Sequence, residues 1–130
     1  MHSAVKIAGV GVDLISWKRI ERFLAEHSSE DLKRVLTPSE QAEFQKAPSS
    51  RTQFFARSFT AKEAYFKALE GRGMGTETFH EMEARMEGED RFRISMLDSR
   101  GTLPGEGSFF STPDGLGARV FIWEKEVKKS

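Results

Sequence analysis

The run Phe59-Thr60-Ala61-Lys62-Glu63-Ala64-Tyr65-Phe66-Lys67-Ala68-Leu69 sets one carboxylate and two ammonium groups into a stretch otherwise suited to packing. On a helix, Glu63 and Lys67 are four residues apart and share a face, while Ala61, Ala64, Tyr65, Ala68 and Leu69 form an apolar stripe. A carboxylate on so rigid an element can ligate Mg²⁺, a hard cation that takes one or two protein carboxylates and shares its shell with water and phosphate. A second acid is therefore expected elsewhere. Asp13 is the candidate, because it follows residues 5–12, a short apolar run rich in β-branched residues that predicts a strand with Asp13 at its exit. Gly9 and Gly11 would let another backbone or a ligand approach that strand closely. Each group also has a structural reading. An Asp after a strand fits an Asx-turn or helix N-cap, and a Glu/Lys pair at this spacing fits a solvated salt bridge. Taken singly, these residues leave both readings open.

The elements that must position these groups follow from periodicity and punctuation. Ser16 can cap a helix running to about Glu26 with Ile20, Phe23 and Leu24 facing inward, and Ser28 or Ser29 can cap the next, covering Leu32, Val35 and Leu36. Thr37-Pro38-Ser39-Glu40 is a helix start, with Thr as N-cap, Pro at the first helical position and Glu completing a capping box; that helix should reach Phe44. Ala47 to Ser50 reads as a loop before the long motif helix, which should end near Gly71. Beyond the glycines the period changes to two. Met82, Ala84 and Met86 alternate with charged residues, as do Phe92, Ile94 and Met96 with Arg91, Arg93 and Ser95, and Gly88-Glu89-Asp90 supplies a turn between them. Runs at Ser108–Phe110 and Ala118–Glu124 predict two more strands around Pro113-Asp114-Gly115; Asp98 to Gly107 reads as a loop and Glu124 to Ser130 as a charged tail. The predicted fold class is α+β, one small domain over residues 1–130, with strand and helices first and an antiparallel sheet after.

At 130 residues the chain suffices for one core without staples, and it has no cysteine, which excludes disulfides, thiolate chemistry and zinc–cysteine sites. His2, His27 and His80 are scattered without metal-ligand spacing. With no charged and apolar leader and no apolar run approaching the ~20 residues that span a bilayer, a cytoplasmic protein without membrane association is expected. The net charge is zero, which argues against nucleic acid as the main partner. Its distribution is uneven. Residues 1–72 hold 12 Lys/Arg against 9 Asp/Glu, and residues 73–130 hold 8 against 11. Lys18, Arg19 and Arg22 would share one side of the first helix, which is either a solvated face or a surface for an acidic protein.

Taken together, the blocks resemble a family. Gly11-Val12-Asp13-Leu14 followed by Trp17-Lys18-Arg19-Ile20, Phe55-Ala56-Arg57 leading into Phe59-Thr60-Ala61-Lys62-Glu63-Ala64, Lys67-Ala68-Leu69, the loop Gly71-Arg72-Gly73-Met74-Gly75, and Phe79-His80-Glu81-Met82-Glu83 in the place of the family's next strand resemble holo-acyl-carrier-protein synthase, the short single-domain class of 4′-phosphopantetheinyl transferases. The resemblance implies the corresponding fold, a homotrimer with active sites between subunits, coenzyme A as co-substrate and an acidic acyl carrier protein as partner. It also implies Mg²⁺ held by Asp13 and Glu63, with Lys67 on a phosphate, Lys62 on the coenzyme or a neighbouring subunit, and Gly73 against the coenzyme. Lys18, Arg19 and Arg22 would dock the carrier protein. Two departures stand out. The family's C-terminal histidine is absent from Ser108-Phe109-Phe110-Ser111-Thr112-Pro113-Asp114, and Ser58 stands where the family often has Arg; Arg57, about 100° away on the helix, is no equivalent. The resemblance thus implies an active, divergent transferase, with a non-catalytic relative that binds coenzyme A or a carrier protein as the alternative.

Overall fold

The fold is built around one long helix lying on an antiparallel sheet. The computed structural model describes residues 5–46, 48–70, 79–97 and 105–125. Strand β1 (Val5–Ser16) leads into α1 (Trp17–Glu26), the short α2 (Ser29–Leu32), α3 (Pro38–Lys46) and, after a 3-10 turn at Pro48–Ser50, α4 (Arg51–Glu70). Strands β2 (Met82–Met86), β3 (Arg91–Met96), β4 (Gly105–Thr112) and β5 (Gly115–Lys125) follow. The sheet order is β1-β5-β4-β3-β2, and the register places Asp13 opposite Ala118. β1 is thus brought back as an edge strand beside the last strand of the chain.

The local signals account for most boundaries. Ser16 accepts a hydrogen bond from the Arg19 N–H at 3.1 Å and starts α1. The capping box at α3 forms in both directions, with the Thr37 N–H donating to Glu40 Oε1 at 2.9 Å and the Glu40 N–H to Thr37 Oγ1 at 3.3 Å. Met82 and Ala84, and Phe92, Ile94 and Met96, point into the core as the period of two requires, and Gly88 turns between them at φ +89°. The stripe Ala61, Ala64, Tyr65, Ala68 and Leu69 is buried together with Ala118, Val120 and Ile122 of β5.

Several expectations shift. β1 does not end before Asp13 but continues through Ser16, because its pairing with β5 runs on to Ser16 opposite Gly115. Asp13 therefore projects from the body of a strand. α2 closes at Leu32, leaving Val35 in a turn although Leu36 is buried. Phe79–Glu81 is a 3-10 turn rather than strand, and β4 begins at Gly105, inside the expected loop. Likewise β5 reaches Lys125, so Glu124 belongs to a strand. The Gly71–Gly75 loop with Gly73, residues 98–104 and the end of the tail lie outside the described residues.

Candidate active site

Gly9 and Gly11 set the geometry of the site. Both face α4, and a Cβ at Gly11 would lie 1.9 Å from the Ala64 carbonyl oxygen, one at Gly9 2.1 Å from that of Ala68. The helix backbone therefore rests directly on the strand, an approach only glycine permits. Asp13, two residues beyond Gly11 on the same face of β1, then lies beside the Glu63–Lys67 face of α4.

Lys67 Nζ donates to Asp13 Oδ1 at 2.9 Å and to the Val12 carbonyl at 3.2 Å. Glu63, one turn earlier and half-buried, titrates above the ordinary carboxylate range. Burial is the main cause and the negative charge of Asp13 the next, only partly offset by Lys67 and Arg19. Two carboxylates thus share one seam, Asp13 paired with Lys67 and Glu63 partly withdrawn from water. No cluster of three or more His, Cys, Asp or Glu suited to a metal occurs among the described residues. The donor chemistry fits a hard divalent cation that takes two carboxylate oxygens and fills its shell with water and phosphate.

The first turn of α1 borders this seam. Arg19 and Arg22 rim a cavity of about 330 Å³ whose walls include Phe23, Phe55 and Phe59. Lys18 is exposed on α1 but does not line it. A second cavity, of about 430 Å³, lies on another face of α4, where Trp17, Arg57, Phe109, Phe110 and Ser111 meet. There Arg57 stacks over the Phe109 ring at 5.0 Å. The histidine-free stretch Ser108 to Asp114 forms the end of β4 and its turn, and Ser111 of this stretch lines the cavity. Ser58 is fully buried, and its hydroxyl has no partner among the described residues.

Lys62 departs most from expectation. It does not face the seam or a coenzyme phosphate but is fully buried, and its ammonium donates to the Val35 carbonyl at 2.5 Å, to the Phe79 carbonyl at 3.1 Å and to Glu40 Oε1. An ammonium has three hydrogens, and all three are used. Desolvation pushes its pKa down, against the pull of Glu40. Glu40, read from sequence only as a capping residue, is its partner and was missed as an ion-pair member. A signal existed for the burial: Phe55, Ser58, Tyr65 and Leu69, at spacings of seven, four, three and seven from Lys62, are the inward positions of the same helix.

The fold and the seam together define a small α+β protein with a two-carboxylate site between an edge strand and a long helix. Solved structures share that fold over nearly their whole length. A holo-[acyl-carrier-protein] synthase from Neisseria meningitidis matches with a TM-score of 0.72 at 25% identity, covering 90% of this chain and 98% of that one. A holo-(acyl-carrier-protein) synthase from Bacillus anthracis, solved in complex with CoA (3′,5′-ADP), matches with a TM-score of 0.72 at 28% identity, covering 92% and 98%. Among curated proteins, holo-[acyl-carrier-protein] synthases from Alkalilimnicola ehrlichii and Geobacillus kaustophilus are 48% and 47% identical over 63 and 70 residues. Those matches cover 48% and 53% of this chain, and the chain spans about half the length of these relatives, 49% and 53%. The family model of the 4′-phosphopantetheinyl transferase superfamily matches residues 9–108. The chain belongs to that superfamily.

Proposed function

We propose that the protein transfers the 4′-phosphopantetheinyl group of coenzyme A to a serine of an apo acyl carrier protein in a Mg²⁺-dependent reaction. The observation that carries this reading is the convergence of Asp13, Glu63 and Lys67 on one seam, beside an α1 surface rimmed by Arg19 and Arg22. In the reaction the serine oxygen forms a bond to the β-phosphorus of coenzyme A, the pyrophosphate bond breaks, and adenosine 3′,5′-bisphosphate leaves. Asp13 and Glu63 would hold Mg²⁺, which when bound would supply charge neutralisation for the departing phosphate. Lys67, half-exposed at the edge of the seam, exchanges its Asp13 contact for a phosphate oxygen. The serine proton passes either to Glu63 or to a water at the seam. Arg19 and Arg22 attract the acidic surface of the carrier, and the aromatic walls beside them receive its apolar side chains. Gly73 and its loop belong to the coenzyme in this reading, whereas Lys62 is removed from it by its burial.

The sheet's outer face supports assembly with further copies of the chain, three in this reading. Ile7, Val10, Val12 and Leu14 of β1 and Phe121 of β5 are 44–60% exposed, where the solvent side of an antiparallel sheet ordinarily carries polar residues. Light scattering should give three chain masses, and Val12→Glu should reduce it to one. No described helix is long and apolar enough to cross a membrane. A cytoplasmic setting, where coenzyme A and carrier proteins are available, belongs to the same proposal.

The test is the intact mass of an acidic apo carrier protein after incubation with coenzyme A and Mg²⁺, with EDTA and Glu63→Gln controls. A gain of one phosphopantetheinyl group, lost in both controls, is the expected result. Coenzyme A binding without any mass gain across several carriers would instead favour a non-catalytic relative, the reading that the histidine-free Ser108–Asp114 stretch supports.

A further inference from the structure

The buried pair of Lys62 and Glu40 sits one residue from the seam and takes no direct part in it. Glu40 is 3% exposed, and both its oxygens are engaged: Oε1 accepts from Lys62 and from the Thr37 N–H at 2.9 Å, and Oε2 accepts from the Ala84 N–H of β2 at 2.8 Å. Lys62 adds the Val35 and Phe79 carbonyls, so two side chains tie α4 to the α2–α3 connection, the start of α3, the 3-10 turn at Phe79 and strand β2. Thr37 and Ser39 continue the network by donating to Glu83 Oε1 at 3.3 and 2.7 Å.

The placement around the helix axis gives this network a consequence. Ala64 and Ala68 meet the glycines of β1, while Lys62 lies two residues, about 200°, round from Ala64 and so nearly opposite. Glu63 falls between the two supports. On the sheet side α4 is held by its apolar stripe against Ala118, Val120 and Ile122 of β5, while the Gly9–Gly11 surface of β1 beside the seam offers no side chain to interlock, so the Lys62–Glu40 network supplies the restraint against rolling on the opposite side. A roll of α4 moves Glu63 relative to Asp13, which is fixed on the strand. We infer that the Lys62–Glu40 pair is a positioning device that sets the rotation of α4, and through it the spacing of Glu63 from Asp13 that a divalent cation requires. This inference rests on the transferase reading of the seam.

Removing one partner leaves the other as a buried, uncompensated charge, so the informative variant changes both: Lys62→Met with Glu40→Gln, close in shape and neutral. Binding of Mn²⁺ in the presence of coenzyme A, read from the free-ion paramagnetic resonance signal, reports on the seam apart from turnover, and thermal melting reports on the fold. The expected result is a folded double variant whose Mn²⁺ affinity and kcat each fall about 10-fold, with KM for the carrier protein unchanged, since misplacement of a reacting group costs up to about 10²-fold per ångström. Glu40→Gln alone is the harsher companion, because it leaves the Lys62 ammonium buried without its counter-charge and one of the N–H groups of Thr37 and Ala84 without an acceptor, and its Mn²⁺ affinity should fall more than about 10-fold. Wild-type Mn²⁺ affinity in either folded variant would overturn the inference and leave the transferase reading intact. A wild-type protein that binds no Mn²⁺ with coenzyme A would overturn the metal reading, and this inference with it.

Discussion

Gly11→Ala tests the link between packing and chemistry most directly. Gly11 lies in β1 without a left-handed φ, so alanine meets no backbone strain there and, by restricting the unfolded chain, would ordinarily add about 0.4–1 kcal/mol of stability. The added methyl group would instead lie 1.9 Å from the Ala64 oxygen, 2.7 Å from the Ala68 nitrogen and 3.0 Å from the Ala64 carbonyl carbon. All three are backbone atoms, so no rotamer change relieves the contact. Ordinary contact begins at 3.4 Å, and α4 must move away from β1 by 1.5 Å along the worst line. Overpacking of this kind costs about 3 kcal/mol at the upper end of its usual range. After the unfolded-state gain the net loss is about 2 kcal/mol, or about 8 °C in melting temperature for a chain of this size. The same movement carries Glu63 and Lys67 away from Asp13, and a displacement of this order lowers transfer about 10²-fold. Urea denaturation and single-turnover mass spectrometry measure the two effects. Gly88→Ala is the control: nothing lies within 4 Å of its Cβ, and its φ of +89° predicts a loss of about 1 kcal/mol with full activity. A Gly11→Ala protein as stable as wild type would refute the packing argument, and one destabilised but fully active would refute its coupling to the seam.

Three further outcomes are expected. Glu63→Gln should abolish transfer yet raise the melting temperature of metal-free protein near neutral pH: a carboxyl whose folded pKa is raised destabilises the fold when ionised, and the gain should vanish as pH falls below the ordinary carboxylate range. A lower melting temperature for this variant at neutral pH would contradict the burial of the Glu63 charge and its repulsion by Asp13. Arg19→Glu with Arg22→Glu should raise KM for an acidic carrier at least about 10-fold and remove most of the salt dependence of kcat/KM, with a smaller effect on kcat; equal salt profiles would argue against carrier docking on α1. Glu83 titrates below its ordinary value, chiefly through the Ser39 hydroxyl, so its contribution is present above the unfolded pKa and is lost as pH falls through the folded one. Ser39→Ala should therefore remove about 1 kcal/mol at neutral pH and almost nothing once Glu83 is protonated, as followed by acid-titrated urea melts.

Elements governed by neighbours in the chain were the legible ones. The capping box at Thr37–Glu40, the Ser16 cap, the period-two runs of β2 and β3 and the buried stripe of α4 all depend on interactions within a few residues. The extent of β1 was not legible, because Asp13 to Ser16 are held extended by β5, about a hundred residues later. Lys62 shows the same limit at the site. Its charge suggested a phosphate or a neighbouring subunit, yet it is buried, and its three acceptors come from residues 35, 40 and 79, which no local rule names.

Which groups are available for chemistry, an acid on a glycine-bearing strand and a Glu and Lys four apart on a helix, is written in the order of residues, since side-chain type and helical period are local properties. Which of them meet depends on the packing of distant elements. The backbone approach at Gly9 and Gly11 brings Asp13 to the Glu63–Lys67 face. Burial of Lys62 against Glu40 turns one apparent phosphate ligand into a support for the helix, because a charged group withdrawn from water must spend its hydrogen bonds on whatever partners the fold supplies.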